Sequence, residues 1–228
     1  MRRRVLCVIN SLAGGGAERM FARLLEAFVN RAPGLAFDAA LLDCEPRAYT
    51  LPRGLAVTEF DARRSMARSA AALSAHVLKR KPDVLFSFLT RANCAAIVAG
   101  KFCRRPVVIS ERTFTSAHFS GRPLQPALVR TLYPKATQII AVGDASRRAL
   151  IQNFAVSCDR VRVIHNPVAS ASIRAQASAY AAPFARAYVA AMGRLAPFIK
   201  RALLREVFAR DGLDEYLVIL GECPDLGA

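Results

Sequence analysis

Short apolar runs rich in Val, Ile and Leu alternate with Ala-rich stretches of helical periodicity along nearly the whole chain. That rhythm dictates βα units and a parallel sheet. Predicted strands cover Arg4 to Asn10, Ala36 to Asp43, Ala56 to Phe60, Asp83 to Leu89, Pro106 to Ser110, Thr137 to Val142 and Arg160 to Ile164. Predicted helices cover Ala17 to Arg31, Ser65 to Lys81, Asn93 to Phe102, Pro123 to Ala136 and Asp144 to Phe154, with an irregular turn expected at Pro126. In the first helix Met20, Phe21, Leu24, Leu25 and Phe28 share one face, and in the second Ala70, Leu73, Val77 and Leu78 do. The fold class expected is α/β, a Rossmann-like parallel sheet with flanking helices.

His165-Asn166-Pro167 breaks the rhythm. The domain reading is residues 1–168 as one domain, 169–186 as a linker and 187–228 as part of a second βα lobe. Residues 169–183, mostly Ala and Ser, present no clear partner face and read as a connection. Beyond them Ala187 to Met192 reads as a strand, Gly193 to Pro197 as a loop, Lys200 to Arg210 as a helix and Tyr216 to Leu220 as a strand. Two strands and one helix cannot bury a sheet face alone, so this lobe is read as incomplete.

Over half of the 228 residues are apolar, enough for a substantial core. No apolar run reaches the roughly 18 residues of a membrane span, and Val5 to Ile9 is too short for a signal core. The chain is therefore expected to be cytoplasmic, peripheral at most to the inner membrane face. The six cysteines form no Cys-x-x-Cys pair and have no His at ligand spacing, so they read as structural thiols and no metal site is expected. The net charge is +16, nearly all of it arginine. Its Arg residues are scattered, with no run of five or six like charges and no aromatic–basic interleaving. An anionic membrane surface suits that charge, and nucleic acid is not expected.

Four segments carry chemistry. Gly14-Gly15-Gly16 lies between the first strand and first helix, where close backbone approach and free N–H groups favour an anion. It lacks the third glycine of Gly-x-Gly-x-x-Gly and the Lys-Ser/Thr of a P-loop, and a tight packing turn explains it equally. Ser110-Glu111-Arg112 puts a carboxylate and a guanidinium at the carboxyl edge of a strand, where open α/β sheets bind ligands; a surface ion pair is the plainer reading. In Val163-Ile164-His165-Asn166-Pro167-Val168 the proline stiffens a turn, and His165 is either titratable near neutrality or simply hydrogen-bonded. Met192-Gly193-Arg194-Leu195, followed by Lys200-Arg201, sets cations beside a helix start and suits a diphosphate.

In this order the segments resemble the retaining glycosyltransferases with two facing Rossmann-like lobes, the GT-B fold of family 4. Ser11 to Arg19, ending Ala-Glu-Arg, resembles the family's opening. Ser110 to Arg112, residues 163–168 and Met192 to Leu195 are similar to its later motifs, and Leu217 to Pro224 is similar to the turn that follows. The sequence also departs from the pattern. The family's basic residue stands one place before Lys200, a glycine often stands where Arg201 does, Cys223 replaces a glycine, and the Glu-x(7)-Glu element is absent.

The resemblance implies transfer of a sugar from a nucleoside diphosphate sugar, with retention and without metal or other cofactor, to a glycan or lipid-linked acceptor in cell-surface polysaccharide synthesis. It implies Arg194 and Lys200 as catalytic groups on the leaving diphosphate. It places Gly14, Gly15 and Gly16 by the diphosphate and acceptor, and Glu18, Glu111, Arg112 and Asn166 on the acceptor side. With the donor lobe incomplete, this chain alone is expected to transfer little or nothing. Two other readings remain: a catalytically inactive homologue that only binds, and another Rossmann enzyme whose glycine loop takes a nucleotide such as NAD while Asp43 holds a ribose.

Overall fold

The computed structural model describes residues 2–112, 124–168, 170–179, 188–192 and 216–220. They fall in two compact units, Met1–Pro167 and Val168–Ala228. The first unit carries seven strands, β1 (Arg3–Ile9), β2 (Leu35–Leu41), β3 (Ala56–Glu59), β4 (Val84–Phe88), β5 (Val107–Glu111), β6 (Gln138–Ala141) and β7 (Val161–Val163). Every pairing is parallel and the order is β3-β2-β1-β4-β5-β6-β7. The order reverses between β1 and β4, which makes that junction a topological switch point.

Alternation along the strands explains the two cores. On β1, Leu6 and Val8 join one apolar cluster while Cys7 and Ile9 join another; on β2, Ala40 and Ala39 divide likewise. Residues one apart point to opposite sheet faces, so both faces are covered. Helix α1 (Gly16–Arg31) covers one face with Phe21 and Leu25. The other carries α2 (Met66–Arg80), α3 (Thr90–Phe102), α4 (Leu124–Leu132) and α5 (Asp144–Phe154) through Leu73, Val77, Ile97, Val129, Leu150 and Phe154. Cys7 and Cys94 are buried in these cores, and burial pushes both thiols up, Cys94 to about 12. They pack as small hydrophobes.

The expected strands are present to within two residues, and α5 has the predicted bounds. Three expectations change. Helix α3 starts at Thr90 rather than Asn93, because Leu89 caps it without a side-chain hydrogen bond, in a φ +73 conformation that no sequence rule assigns to leucine. The helix expected to run to Ala136 ends at Leu132, and Tyr133–Lys135 forms a 3₁₀ turn. Pro134 lacks the N–H that would continue the α-helix, whereas Pro126 sits in a first turn that has no need of its N–H. Part of the expected linker is helical, α6 (Ser170–Ser178), as its Ala-rich composition favours. In the second unit β8 (Tyr188–Met192) pairs parallel with β9 (Tyr216–Leu220), Tyr188 opposite Tyr216. The helix expected from Lys200 to Arg210 lies outside the described residues. Among those described, no helix is long and apolar enough to cross a membrane.

Packing between α3 and β5 leaves no room at Gly100. A Cβ there would lie 2.1 Å from Val107 Cγ2 and 2.9 Å from the Arg105 carbonyl oxygen. Gly100→Ala is expected to destabilise the fold by about 1–3 kcal/mol, read from the midpoint of a urea transition.

His76 on α2 packs edge-on to Phe60, ring centroids 5.5 Å apart. Burial lowers its pKa below 6.5, and the nearby Arg80 charge adds to the effect. The unfolded chain therefore binds the proton first as pH falls. The resulting stability is fully present above pH 6.5 and is lost as pH drops through the lower folded value. Denaturation midpoints measured across this window should fall with acid for the parent chain, and fall less for His76→Gln.

Candidate functional site

All seven strands end at one edge, and the candidate residues of the first unit gather there. The chain leaves β1 at Asn10, and the loop through Leu12 to Gly15 is held by a second segment. Ala48 N–H donates to the Leu12 carbonyl (2.8 Å), and Gly15 N–H reaches the Tyr49 hydroxyl (3.4 Å). Gly14 has φ +127, which only glycine adopts without strain. A Cβ at Gly16 would meet nothing within 4 Å, so packing within this chain does not demand glycine there. Glu18 follows in the first turn of α1.

At the switch point an open cleft of about 600 Å³ is lined by Asn10, Ser11, Glu18, Asp43, Arg91 and Gln125, among others. Its floor is a nearly buried ion pair. Both Arg91 terminal nitrogens engage the Asp43 carboxylate, and Arg91 Nη1 also donates to Ser69 Oγ (2.9 Å). Asp43 Oδ1 further accepts from the Arg64 backbone N–H (3.0 Å). A second pair, Arg64 to Glu45 at 2.8 Å, lies on the rim, and Arg64 holds the Glu45 carboxyl below its usual range. Charges of both signs line the cleft in near balance. Asn10 Oδ1 and Gln125 Oε1 are shielded from solvent there and accept no hydrogen bond. Leu89, at φ +73, also lines it. Such backbone costs of order 1–3 kcal/mol and persists where surrounding structure enforces it.

Beside the cleft the carboxyl end of β5 rests on a buried polar chain. Ser87 Oγ donates to Asn93 Oδ1 (2.8 Å), and Asn93 Nδ2 donates to the Ser110 carbonyl and to Tyr133 Oη (both 3.2 Å). Tyr133 in turn donates to Glu111 Oε2 (2.5 Å). Ser87, Asn93, Tyr133 and Glu111 are each inaccessible to solvent. Burial, then the Glu111 carboxyl, pushes the Tyr133 pKa up, so the phenol keeps its proton and remains the donor.

This corrects the reading of Glu111. The carboxyl is wholly buried rather than exposed on an acceptor surface. It turns inward to Tyr133, and its Oε1 accepts the Arg112 backbone N–H (3.0 Å). Arg112 itself points along the edge. Its guanidinium stands 4.5 Å from the Phe88 ring centre and donates to Asn166 Oδ1, while its buried Nε has no partner. Burial pushes its pKa down to about 10, against the pull of Glu111. His165 Nδ1 lies 3.0 Å from the Val142 carbonyl, an acceptor only, so that nitrogen carries the proton. The hydrogen-bonded reading of His165 therefore holds.

The fold thus brings Gly14, Gly15, Gly16, Glu18, Arg112 and Asn166 to one edge and puts Glu111 behind it. Arg194 and Lys200 lie outside the described residues. Sequence reasoning missed Arg91, Tyr133 and Asn93; an Asn in an Ala-rich helix was the one available signal. Asp43, considered for a ribose, has both oxygens engaged by the protein.

A parallel α/β sheet with helices on both faces and a polar cleft at its switch point defines the class as a Rossmann-like lobe. Residues 14–171 match Glycosyltransferase Family 4, and the chain belongs to that family. An N-acetylgalactosamine-N,N'-diacetylbacillosaminyl-diphospho-undecaprenol 4-alpha-N-acetylgalactosaminyltransferase from Campylobacter jejuni subsp. jejuni serotype O:2 is 31% identical over 145 residues, 61% of this chain and 40% of its own length. Two solved structures share the fold. The lipopolysaccharide outer core galactosyltransferase WaaB, in its apo form, superposes with TM-score 0.67 at 14% identity over 97% of this chain and 62% of its own. Anabaena Alr3699/HepE, in complex with UDP and glucose, does so with TM-score 0.65 at 17% identity, over 96% and 60%. The chain thus spans 40–62% of the length of these relatives, under two thirds of each.

Tyr133→Phe keeps the ring and removes the donor facing Glu111. Losing the buried hydroxyl that donates to Glu111 and accepts from Asn93 costs about 1–3 kcal/mol. That loss should appear in urea unfolding.

Proposed function

We propose that this chain supplies the acceptor-side lobe of a glycosyltransferase that moves a sugar from a nucleoside diphosphate sugar to a glycan or lipid-linked acceptor, with retention, in cell-surface polysaccharide synthesis. The observation that carries the reading is the cleft at the β1–β4 switch point, in a chain of this family. Its charges nearly balance, three carboxylates to two guanidiniums among the described lining residues, and Ser11, Thr90 and the carboxamides of Asn10 and Gln125 make the rest of that lining polar, which suits a hydroxyl-rich ligand. A sugar offers hydroxyls that both donate and accept. The relative from Campylobacter jejuni bears a name that specifies a diphospho-undecaprenol acceptor, which supports the lipid-linked class. HepE is in complex with UDP, which supports a uridine nucleotide among the donors.

In this reading Gly14 to Gly16 leave room for the donor diphosphate to approach the amino end of α1. Glu18 borders the acceptor. Arg112 and Asn166, in contact with each other at the same edge of the sheet, lie on the acceptor side, with Glu111 and Tyr133 buried behind them. Arg194 and Lys200 offset negative charge on the departing diphosphate. No cofactor takes part. The protein works in the cytoplasm, peripheral to the inner face of the membrane.

The test joins binding to transfer. Oligosaccharide acceptors titrated into isotope-labelled chain should shift the Asn10, Glu18 and Gln125 resonances. NAD shifting them while every sugar leaves them unmoved would favour the dinucleotide reading instead. The chain fused to a complete second lobe is then assayed with a panel of nucleoside diphosphate sugars. Arg194→Ala or Lys200→Ala should lower kcat by about 10²–10³. Inverted product stereochemistry would overturn the mechanism.

A further inference from the structure

We propose a second binding site, for a phosphate group, on the opposite edge of the sheet from the cleft. A depression of about 330 Å³ is lined there by Lys101, Arg104, Arg105 and Lys135, together with Gly100 and Thr137. Among the described residues it contains four cations and no carboxylate. The four come from three places: the last turn of α3, the turn after it, and the 3₁₀ segment before β6. They are up to 34 residues apart, so the fold assembles the cluster and no local run of charge accounts for it.

Other arginines in this unit find carboxylates: Arg4 with Asp38, Arg47 with Glu59, Arg64 with Glu45 and Arg91 with Asp43. None of the four cations here makes such a pair. The carboxyl end of α3 offers only about half a negative charge, far short of balancing them. Most of their mutual repulsion is therefore left for a ligand to relieve. An anion with several acceptor oxygens does that, and phosphate matches both the Arg forks and the Lys point charges.

The floor is rigid. Arg105 N–H donates to the Gly100 carbonyl (2.7 Å), Val107 N–H to Thr137 Oγ1 (3.0 Å) and Thr137 N–H to the Val107 carbonyl (2.9 Å). Thr137 Oγ1 accepts from the protein, which leaves its hydroxyl proton for an oxygen in the depression. Arg104 adopts φ +54, and that left-handed turn directs the chain from the end of α3 to the start of β5. The neighbouring Phe102 is 69% exposed, an apolar side chain beside the cations.

The ligand class is a phosphate ester, carried by a soluble molecule or by a lipid headgroup. The site does not depend on the transfer reaction proposed above, so binding alone tests it. Inorganic phosphate and pyrophosphate are titrated by NMR into the full chain, and equimolar phosphatidylglycerol–phosphatidylcholine vesicles are cosedimented with it. Arg104→Asn with Lys135→Gln removes two of the four charges, and asparagine suits the left-handed backbone. Arg23→Gln with Arg148→Gln removes two exposed charges elsewhere and matches the change in net charge. The site pair should weaken binding by about tenfold or more while the control pair changes it by less than about twofold. Phosphate or pyrophosphate binding without vesicle binding identifies a soluble ester; vesicle binding that needs the site residues identifies a headgroup. Equal weakening by both pairs, or no binding of any probe, overturns the proposal. Unchanged melting temperatures show that the variants remain folded.

Discussion

Parallel strands can be joined only by connections that return over the sheet, and that constraint organises the first unit. Each return places a helix on a face, so both faces must be apolar, and the one-residue alternation of β1 and β2 into two clusters meets the requirement. It also sends every strand's carboxyl end to one edge and every amino end to the other. Loops after strands can then specialise separately from loops before them. The cleft, the glycine turn and the Arg112–Asn166 contact all lie on the first kind of loop. The ends of α2 and α3 and the start of the 3₁₀ turn lie on the second.

Charge follows the same division. At the cleft, Arg64 and Arg91 are matched by Glu45 and Asp43, with Glu18 alongside. At the far edge Lys79, Lys81, Lys101, Arg104, Arg105 and Lys135 are without ion pairs, while Asp38 is shared by Arg4 and Arg80. Strands of three to seven residues, at about 3.3 Å each, hold the edges roughly 10–23 Å apart. That exceeds the Debye length of about 8 Å at physiological salt. The two edges therefore offer ligands distinct electrostatic environments, one balanced and one cationic. Scattering of arginines along the sequence concealed this, because residues distant in the chain meet only when the sheet forms.

The parts of the fold that were legible follow from period and composition. Helix α5 was read with its own bounds because Asp144 and the apolar spacing after it mark a helix unambiguously. The beginning of α3 was not legible, since a strained leucine stands where a capping side chain is normally sought. The same limit applies at the site. The turn at Gly14 was legible because it is local, a backbone conformation that glycine alone tolerates. Glu111 was placed at the right strand end but given the wrong environment, because a strand end does not reveal which way its last side chain turns. Tyr133 decides that, from 22 residues away.

Glu111 also shows how a motif residue can matter without facing a ligand. Two hydroxyls, an amide and a carboxyl lie wholly inside the protein here, and each finds a partner among the others or the backbone. Such a chain is costly if one member is lost, because the remaining groups cannot turn to water. Its last link fixes the Arg112 backbone, whose side chain then leans on Phe88 and reaches Asn166. The Phe88 ring, 4.5 Å from the guanidinium carbon, shields part of it from solvent. Nε stays unpaired as a result, since its direction is set by Phe88 and Asn166 rather than by a partner of its own. An arginine held in this way presents a fixed donor surface at the edge of the sheet, with little side-chain entropy left to lose when a ligand arrives. The buried carboxyl thus acts on this edge of the sheet by fixing the backbone from which Arg112 extends.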